Sequence, residues 1–158
     1  MRIKRATPMD APRCVELVEA RRLEYQAYEP VFWKKAPGSV ASTLPWFEQL
    51  FSDSRNVSLV AVEDEVVVGF VIAREFPTPP VYDPGGATAL IDDFCVASKS
   101  RWLDVGAALL REAKSELKNR AYAQVVVVGA RQDAAKMAFL SQTDLSLAST
   151  WWTGALQP

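Results

Sequence analysis

The sequence predicts a single mixed α/β domain: a central sheet of mixed strand direction with helices on both faces. Three observations carry that prediction. Two β-branched runs flank the acidic tip Glu63-Asp64-Glu65 in VSLVAVEDEVVVGFVIARE, residues 57–75, which is a hairpin signal. Residues 11–26 and 105–119 place apolar side chains at helical spacing with charged residues between them. The unbroken valines of AQVVVVGA, residues 123–130, read as a fully buried strand with a central place in the sheet. A chain of 158 residues is enough for one full core and short for two, so residues 1–158 are taken as one domain.

Each element follows in order. RIKRA is a short alternating segment, and TPMDAP marks a turn with Thr7 or Asp10 as N-cap. From Ala11 to about Gln26, Cys14, Leu17, Val18 and Ala20 form the inner stripe of a helix, with Arg13, Glu16, Glu19 and Arg22 outside. EYQAYEPVFWKKAPG is broken by Pro30 and Pro37 and reads as a loop or irregular helical region. LPWFEQLFSD is a second short helix with Leu44, Phe47, Leu50 and Phe51 inside. Within the hairpin, Gly69 marks a bulge or a close packing contact. FPTPPVYDPGGA, with four prolines and two glycines, is a loop suited to a pocket rim. TALIDDFCVAS is a strand, KSRWLDVG a loop, and Val105 to Asn119 a helix. DAAKMAFLSQ is a short helix capped by Asp133, and LSLASTWWTGAL closes the chain as a strand or hairpin. The predicted order is β-α-α-β-β-β-α-β-α-β.

Composition removes several function classes. Net charge is −1, and charges alternate in sign along the chain, which argues against a basic nucleic-acid footprint. No apolar run approaches the roughly 20 residues of a membrane span. MRIKRATPMD lacks the apolar stretch that follows in a secretory signal. Cys14 and Cys95 are too few and too isolated for a disulfide framework or zinc site, and suit buried thiols in a cytoplasmic protein. There is no histidine, which excludes Ser-His-Asp and Cys-His catalysis and histidine-ligated metals. Any catalysis falls to carboxylates, Tyr, Lys, Cys or a positioned cofactor, and no metal is expected.

The strand-loop-helix IDDFCVASKSRWLDVGAALL, residues 91–110, and the segment DAAKMAFLSQTDL, residues 133–145, resemble the GCN5-related N-acetyltransferase (GNAT) superfamily. The family's loop signature is Q/R-x-x-G-x-G/A, matched here by Arg101 at its first position and Gly106 at its last, with Leu109-Leu110 following. Asp133 stands for an Asn that leads the later helix, Phe139-Leu140 for a Leu-Tyr pair, and Asp144-Leu145 for a Gly-Phe pair. The resemblance spans nearly the whole chain and is concentrated in residues 89–145.

The resemblance implies a GNAT-like fold and acetyl transfer from acetyl-CoA to an amine by direct attack. It implies cofactor contacts at Phe94, Cys95 and Val96 through main-chain groups, at Arg101, Leu103, Asp104, Val105, Gly106 and Ala107 in the loop, and at Asp133. In the family, successive loop N–H groups at a helix N-terminus hold the pyrophosphate. Trp102 and Asp104 depart from the usual glycines, so the loop either still binds the anion, with Arg101 and Lys99 offsetting the carboxylate, or forms a self-capped helix without one. In the second case the chain is a catalytically silent binding domain of the same fold. Leu140 replaces the tyrosine that protonates the leaving thiolate in many members, leaving Tyr122, Ser141, Tyr82 or water for that task.

Asp92 and Asp93 are adjacent on a strand and so should point to opposite faces. Asp92 is the candidate base, or else an ion-pair partner for an arginine such as Arg74; Asp93 is read as structural. Cys95 is a buried small hydrophobe rather than a nucleophile. Trp151 and Trp152 straddle the last strand, one in the core and the other lining a pocket or subunit contact. Glu24, Tyr25, Tyr28, Glu29 and Trp33 suit an amine-bearing acceptor or form a lid on the core. The aromatic-rich ends suit a homodimer; neither nucleic acid nor a membrane is an expected partner.

Overall fold

A computed structural model describes residues 1–156. The strands are β1 (Arg2–Arg5), β2 (Val57–Glu63), β3 (Val66–Phe76), β4 (Ala87–Val96) and β5 (Tyr122–Val127). The helices are α1 (Ala11–Tyr28), α2 (Ser39–Ser52), α3 (Ala107–Asn119) and α4 (Ala134–Leu140). The five strands lie side by side in sequence order. The first three pairings are antiparallel and β4–β5 is parallel, so the sheet is mixed as expected. Helices α1 and α2 pack on one face through Cys14, Val15, Val18, Phe47, Leu50 and Phe51 against Val60, Phe70, Ile72 and Cys95. Helices α3 and α4 cover the other through Leu109, Leu110, Ala113, Leu117 and Phe139 against Val57, Val71, Ile91 and Phe94.

The hairpin forms as the sequence indicates. Asp64 and Glu65 both take positive φ, 46° and 62°, as a two-residue connection between right-twisted strands requires. Gly69 sits beside a register shift at Ala61/Val62. A Cβ there would come within 2.8 Å of Val105 Cγ1 and 3.0 Å of the Cys95 carbonyl oxygen, so both expectations for this glycine hold. Helix α2 begins earlier than its apolar stripe, at Ser39, and carries Pro45 within it.

Four expectations are corrected. Residues 99–106 are not an open loop: a 3-10 turn (Lys99–Arg101) and a wide π turn (Trp102–Gly106) run directly into α3. The valine strand is an edge, not a centre; β5 pairs only with β4 among the described residues, and Val126 and Val128 are 38% and 37% exposed. Valine content signals burial only when both sheet neighbours and both faces are supplied. The last strand does not form, residues 145–156 having no ladder partner, and Trp151 and Trp152 are both exposed.

The fourth correction concerns β4. Ala73 pairs with Ile91 and Val71 with Phe94, so two residues of β4, Asp92 and Asp93, oppose the single Ile72. That is a β-bulge, and it breaks the alternation that would send the two carboxylates to opposite faces. Asp93 lies toward α1, 3.9 Å from Arg22, and Asp92 is exposed.

Candidate active site

The parallel ladder between β4 and β5 runs from Ala87↔Tyr122 to Ile91↔Val127 and ends with Val128 N–H donating to the Ile91 carbonyl at 2.9 Å. Beyond that point β4 continues without β5. The main chain of Phe94, Cys95 and Val96 is therefore held by β3 on one side and lacks a strand partner on the other. All three side chains are buried, which fixes the stretch rigidly. Burial pushes the Cys95 thiol up to about 11, so it carries no thiolate at neutral pH, in line with its reading as a small hydrophobe.

Helix α4 brings a cation to this opening. The Lys136 ammonium is fully buried, lies 5.4 Å from the Phe94 ring centroid and 5.5 Å from that of Trp102, and donates a long 3.4 Å bond to the Phe94 carbonyl. Burial pulls its pKa down to about 8. Asp133, with no exposed surface, caps α4 by accepting from Lys136 N–H at 3.2 Å. Its other oxygen accepts from Arg21 at 2.6 Å and from the Tyr25 hydroxyl at 3.2 Å. The cap was legible in the sequence; the ion pair with a residue 112 positions away was not.

At the bulge, Asp92 is exposed whereas Asp93 keeps only 12% of its side chain in contact with solvent. Burial, and then the neighbouring Asp92 charge, push the Asp93 carboxyl up to about 6. Arg22 lies 3.9 Å away and works in the opposite sense, as does Arg74. Arg74 thus acts on Asp93, and the carboxyl raised toward neutrality is the one that sequence reading took as structural.

The turn of residues 101–107 is closed on itself. Arg101 makes a two-pronged contact with Glu63, at 2.7 and 3.0 Å, and reaches Asp104 at 2.6 Å. These carboxylates, Glu63 first, raise the guanidinium pKa further. Asp104 Oδ1 accepts from Val105 N–H at 2.7 Å. Leu103 and Asp104 face solvent, Ala107 is half-buried, and Val105 and Gly106 belong to the core. Gly106 answers to Trp102 rather than to a ligand: a Cβ there would lie 2.6 Å from the indole Cε3. Trp102 is buried against Phe139 (stacked, 5.4 Å) and Phe94 (edge-on, 4.9 Å), with Arg21 5.2 Å from its ring centroid. Its indole N–H is buried without a hydrogen-bond partner.

Among the earlier candidates for a proton donor, Ser141 spends its hydroxyl on the Ala138 carbonyl and Tyr82 is 70% exposed on the proline-rich loop. Tyr122 is half-buried at the start of β5. The aromatic segment after α1 packs as a cluster, Tyr25 lying 4.9 Å from Trp33 and 5.9 Å from Tyr28. Glu24 pairs with Lys99 at 3.0 Å, tying this segment to the 99–106 turn.

A model of the "Acetyltransferase (GNAT) family" matches residues 17–140. Among solved structures, a mutant of the BH1408 protein from Bacillus halodurans superposes with a TM-score of 0.85 at 16% identity, over 99% of this chain and 100% of that one. A predicted acetyltransferase from Clostridium acetobutylicum, in a structure with acetyl-CoA, gives 0.73 at 15% identity over 98% and 96%. The aminoglycoside acetyltransferase meta-AAC0020 from an uncultured soil sample, in complex with sisomicin, gives 0.66 at 17% over 99% and 96%. No curated protein sequence matches the chain significantly. At these identities the superpositions speak for the fold.

Proposed function

Since the chain belongs to the GNAT acetyltransferase family, we propose that it transfers an acetyl group from acetyl-CoA to an amine, with Asp93 as base and Lys136 as proton donor. The observation that carries this reading is the free stretch of β4 at Phe94–Val96, flanked by a carboxyl held near neutrality on one side and a buried amine on the other.

The residues fit the cofactor along most of its path. The side of Phe94 to Val96 that lacks a strand partner suits an extended amide-bearing chain laid beside β4, much as an added strand would be. The orphaned indole N–H of Trp102 is a donor awaiting an acceptor. At the turn, Asp104 competes for the Val105 N–H that a phosphate would take, but this carboxylate is 53% exposed. An exposed ion pair is worth about 0–1 kcal/mol, little enough for a multiply charged diphosphate to displace while it retains Arg101. Acetyl-CoA supplies the thioester. The chain's residues then orient it: Asp93 takes a proton from the incoming ammonium, and Lys136 gives one to the departing thiolate, replacing the hydroxyl that Leu140 cannot offer. Lys136 at about 8 is close to the thiol range, so the proton passes in either direction without a large mismatch.

Saturating acetyl-CoA should raise the melting temperature by several degrees, and thiol release should follow with an amine panel that includes an aminoglycoside and a polyamine. No thermal shift at millimolar acetyl-CoA would remove the enzyme. A second reading, a silent binding domain of the same fold, is favoured by one observation, the Glu63–Arg101–Asp104 closure. Asp104→Asn separates the two: a displaceable carboxylate predicts tighter acetyl-CoA binding in the variant, whereas no binding by either protein leaves only the silent domain.

A further inference from the structure

One amine of this chain is buried without a counter-ion, at the strand edge where a thioester would be laid. Ala97 N–H donates to the Val68 carbonyl of β3 at 2.8 Å. Along an antiparallel ladder the main chain turns to its partner at every second residue. Cys95 therefore also faces β3, while Phe94 and Val96 face the side that β5 has left. The Phe94 carbonyl points to that open side, and Lys136 Nζ meets it there at 3.4 Å. An extended chain pairing with β4 at this point takes the same carbonyl, which leaves the Lys136 amine pressed against the newcomer.

Lys136 has no other partner to turn to. Asp133 gives its oxygens to Arg21, to the Tyr25 hydroxyl and to the Lys136 main-chain N–H. Lys4, Lys35, Lys99 and Lys114 are each held by a carboxylate, and Lys34 and Lys118 stand exposed. Among the described residues no carboxylate forms a salt bridge with Lys136, which is 2% exposed beside the Phe94 and Trp102 rings. Burial, and then the positive charge of Arg21, disfavour its ammonium; Cys95, Asp133 and Asp92 act in the opposite sense. With its pKa near 8, about a tenth of the molecules carry the neutral amine at pH 7, against fewer than about one in a thousand for an ordinary lysine.

We infer that Lys136 is a site of self-acetylation: without an acceptor amine, its Nζ takes the acetyl group from the chain's own acetyl-CoA. The inference rests on the transferase reading above. The neutral Nζ lone pair attacks the thioester carbonyl carbon. A C–N bond forms as the C–S bond breaks, the electron pair leaves on sulfur, and the proton shed by nitrogen passes to that thiolate. The products are an amide and free CoA, with no other reactant consumed. The amide is uncharged, so the burial that opposes the ammonium no longer acts against this side chain. It also has no proton to give to a leaving thiolate, so a chain starved of acceptor silences itself.

The full chain incubated with acetyl-CoA and no amine should gain one acetyl group and release one equivalent of thiol. Peptide mapping should place that group on Lys136, at a rate that saturates with acetyl-CoA and vanishes in urea. Lys136→Met should stay unmodified. CoA binding is read separately, from the melting temperature with CoA itself. A chain that CoA stabilises but whose Lys136 stays unmodified, or that is acetylated only at exposed lysines such as Lys34 and Lys118, overturns self-acetylation and leaves the transferase standing. Acetylation of Lys136 that persists unchanged in urea overturns it as well. No stabilisation by CoA and no modification removes both.

Discussion

At the scale of single residues, the proposed site rests on two groups whose charge the fold resists. Asp93 has its pKa raised in the folded state, so the native protein holds that proton more tightly than the unfolded chain does. The resulting stability is present at low pH and is lost as pH rises from the unfolded value near 4 through about 6. The shift corresponds to about 3 kcal/mol at most. Asp93→Asn should therefore flatten the decline in melting temperature between pH 4 and 7 while reducing acetyl transfer by about 100-fold or more.

Lys136 has the opposite sense. Its folded pKa of about 8 lies below the ordinary lysine value, so the folded protein binds that proton less well and gains stability as pH rises from 8 to above 10. Lys136→Met should raise the melting temperature at pH 7, lose that advantage near pH 11, and slow turnover. Acetyl donors built on more acidic thiols should recover rate in this variant, because their leaving group needs no proton. A purely structural lysine would show no such recovery. Neither proposed role was legible in the sequence, which made Asp92 the candidate base: the bulge in β4 shows only in its pairing with β3, and Lys136 looks like any helical lysine until α4 is docked. Asp133 at the start of α4, by contrast, was readable from capping chemistry alone.

At the scale of elements, the turn before α3 is where sequence and structure part most. Its outline was legible, from Arg101 to Gly106, but its logic was not. Trp102 replaces a small residue, turns inward, and makes Gly106 necessary for packing. Gly106→Ala should cost on the order of 2 kcal/mol, because the indole it would strike is stacked on Phe139 and has little room to retreat. Trp102→Ala should cost about 3–5 kcal/mol by opening a cavity among Phe94, Phe139 and α3, measurable by urea denaturation. The 57–75 hairpin needed no tertiary information, since its turn and alternation are local. Strand β5 failed for the converse reason: whether a valine run is central or marginal depends on neighbours that lie elsewhere in the chain.

For the whole molecule, the succession of elements along the chain and the mixed strand direction were legible in the pattern of apolar periods, whereas the place of β5 in the sheet was not. The last predicted strand did not form within one chain, although its alternation is sound. A strand needs a partner, and the nearest free edge is not where the segment leads. Amide hydrogen exchange should find β3 the slowest region, since it is the middle strand of the five. Residues 145–156, which have no ladder partner, should exchange within seconds.

The bulge at Asp92 and Asp93 also bears on how this chain can vary in length. It separates β4 into two halves whose inward sets, Ala89 and Ile91 before it and Phe94 and Val96 after, are out of phase by one residue. Deleting either aspartate would remove the bulge and leave Phe94 and Val96 on the α3 side, in step with Ala89 and Ile91. A drifting lineage can therefore shorten the strand here by one and keep the same interior, but it gives up one of the two carboxylates and the local bend.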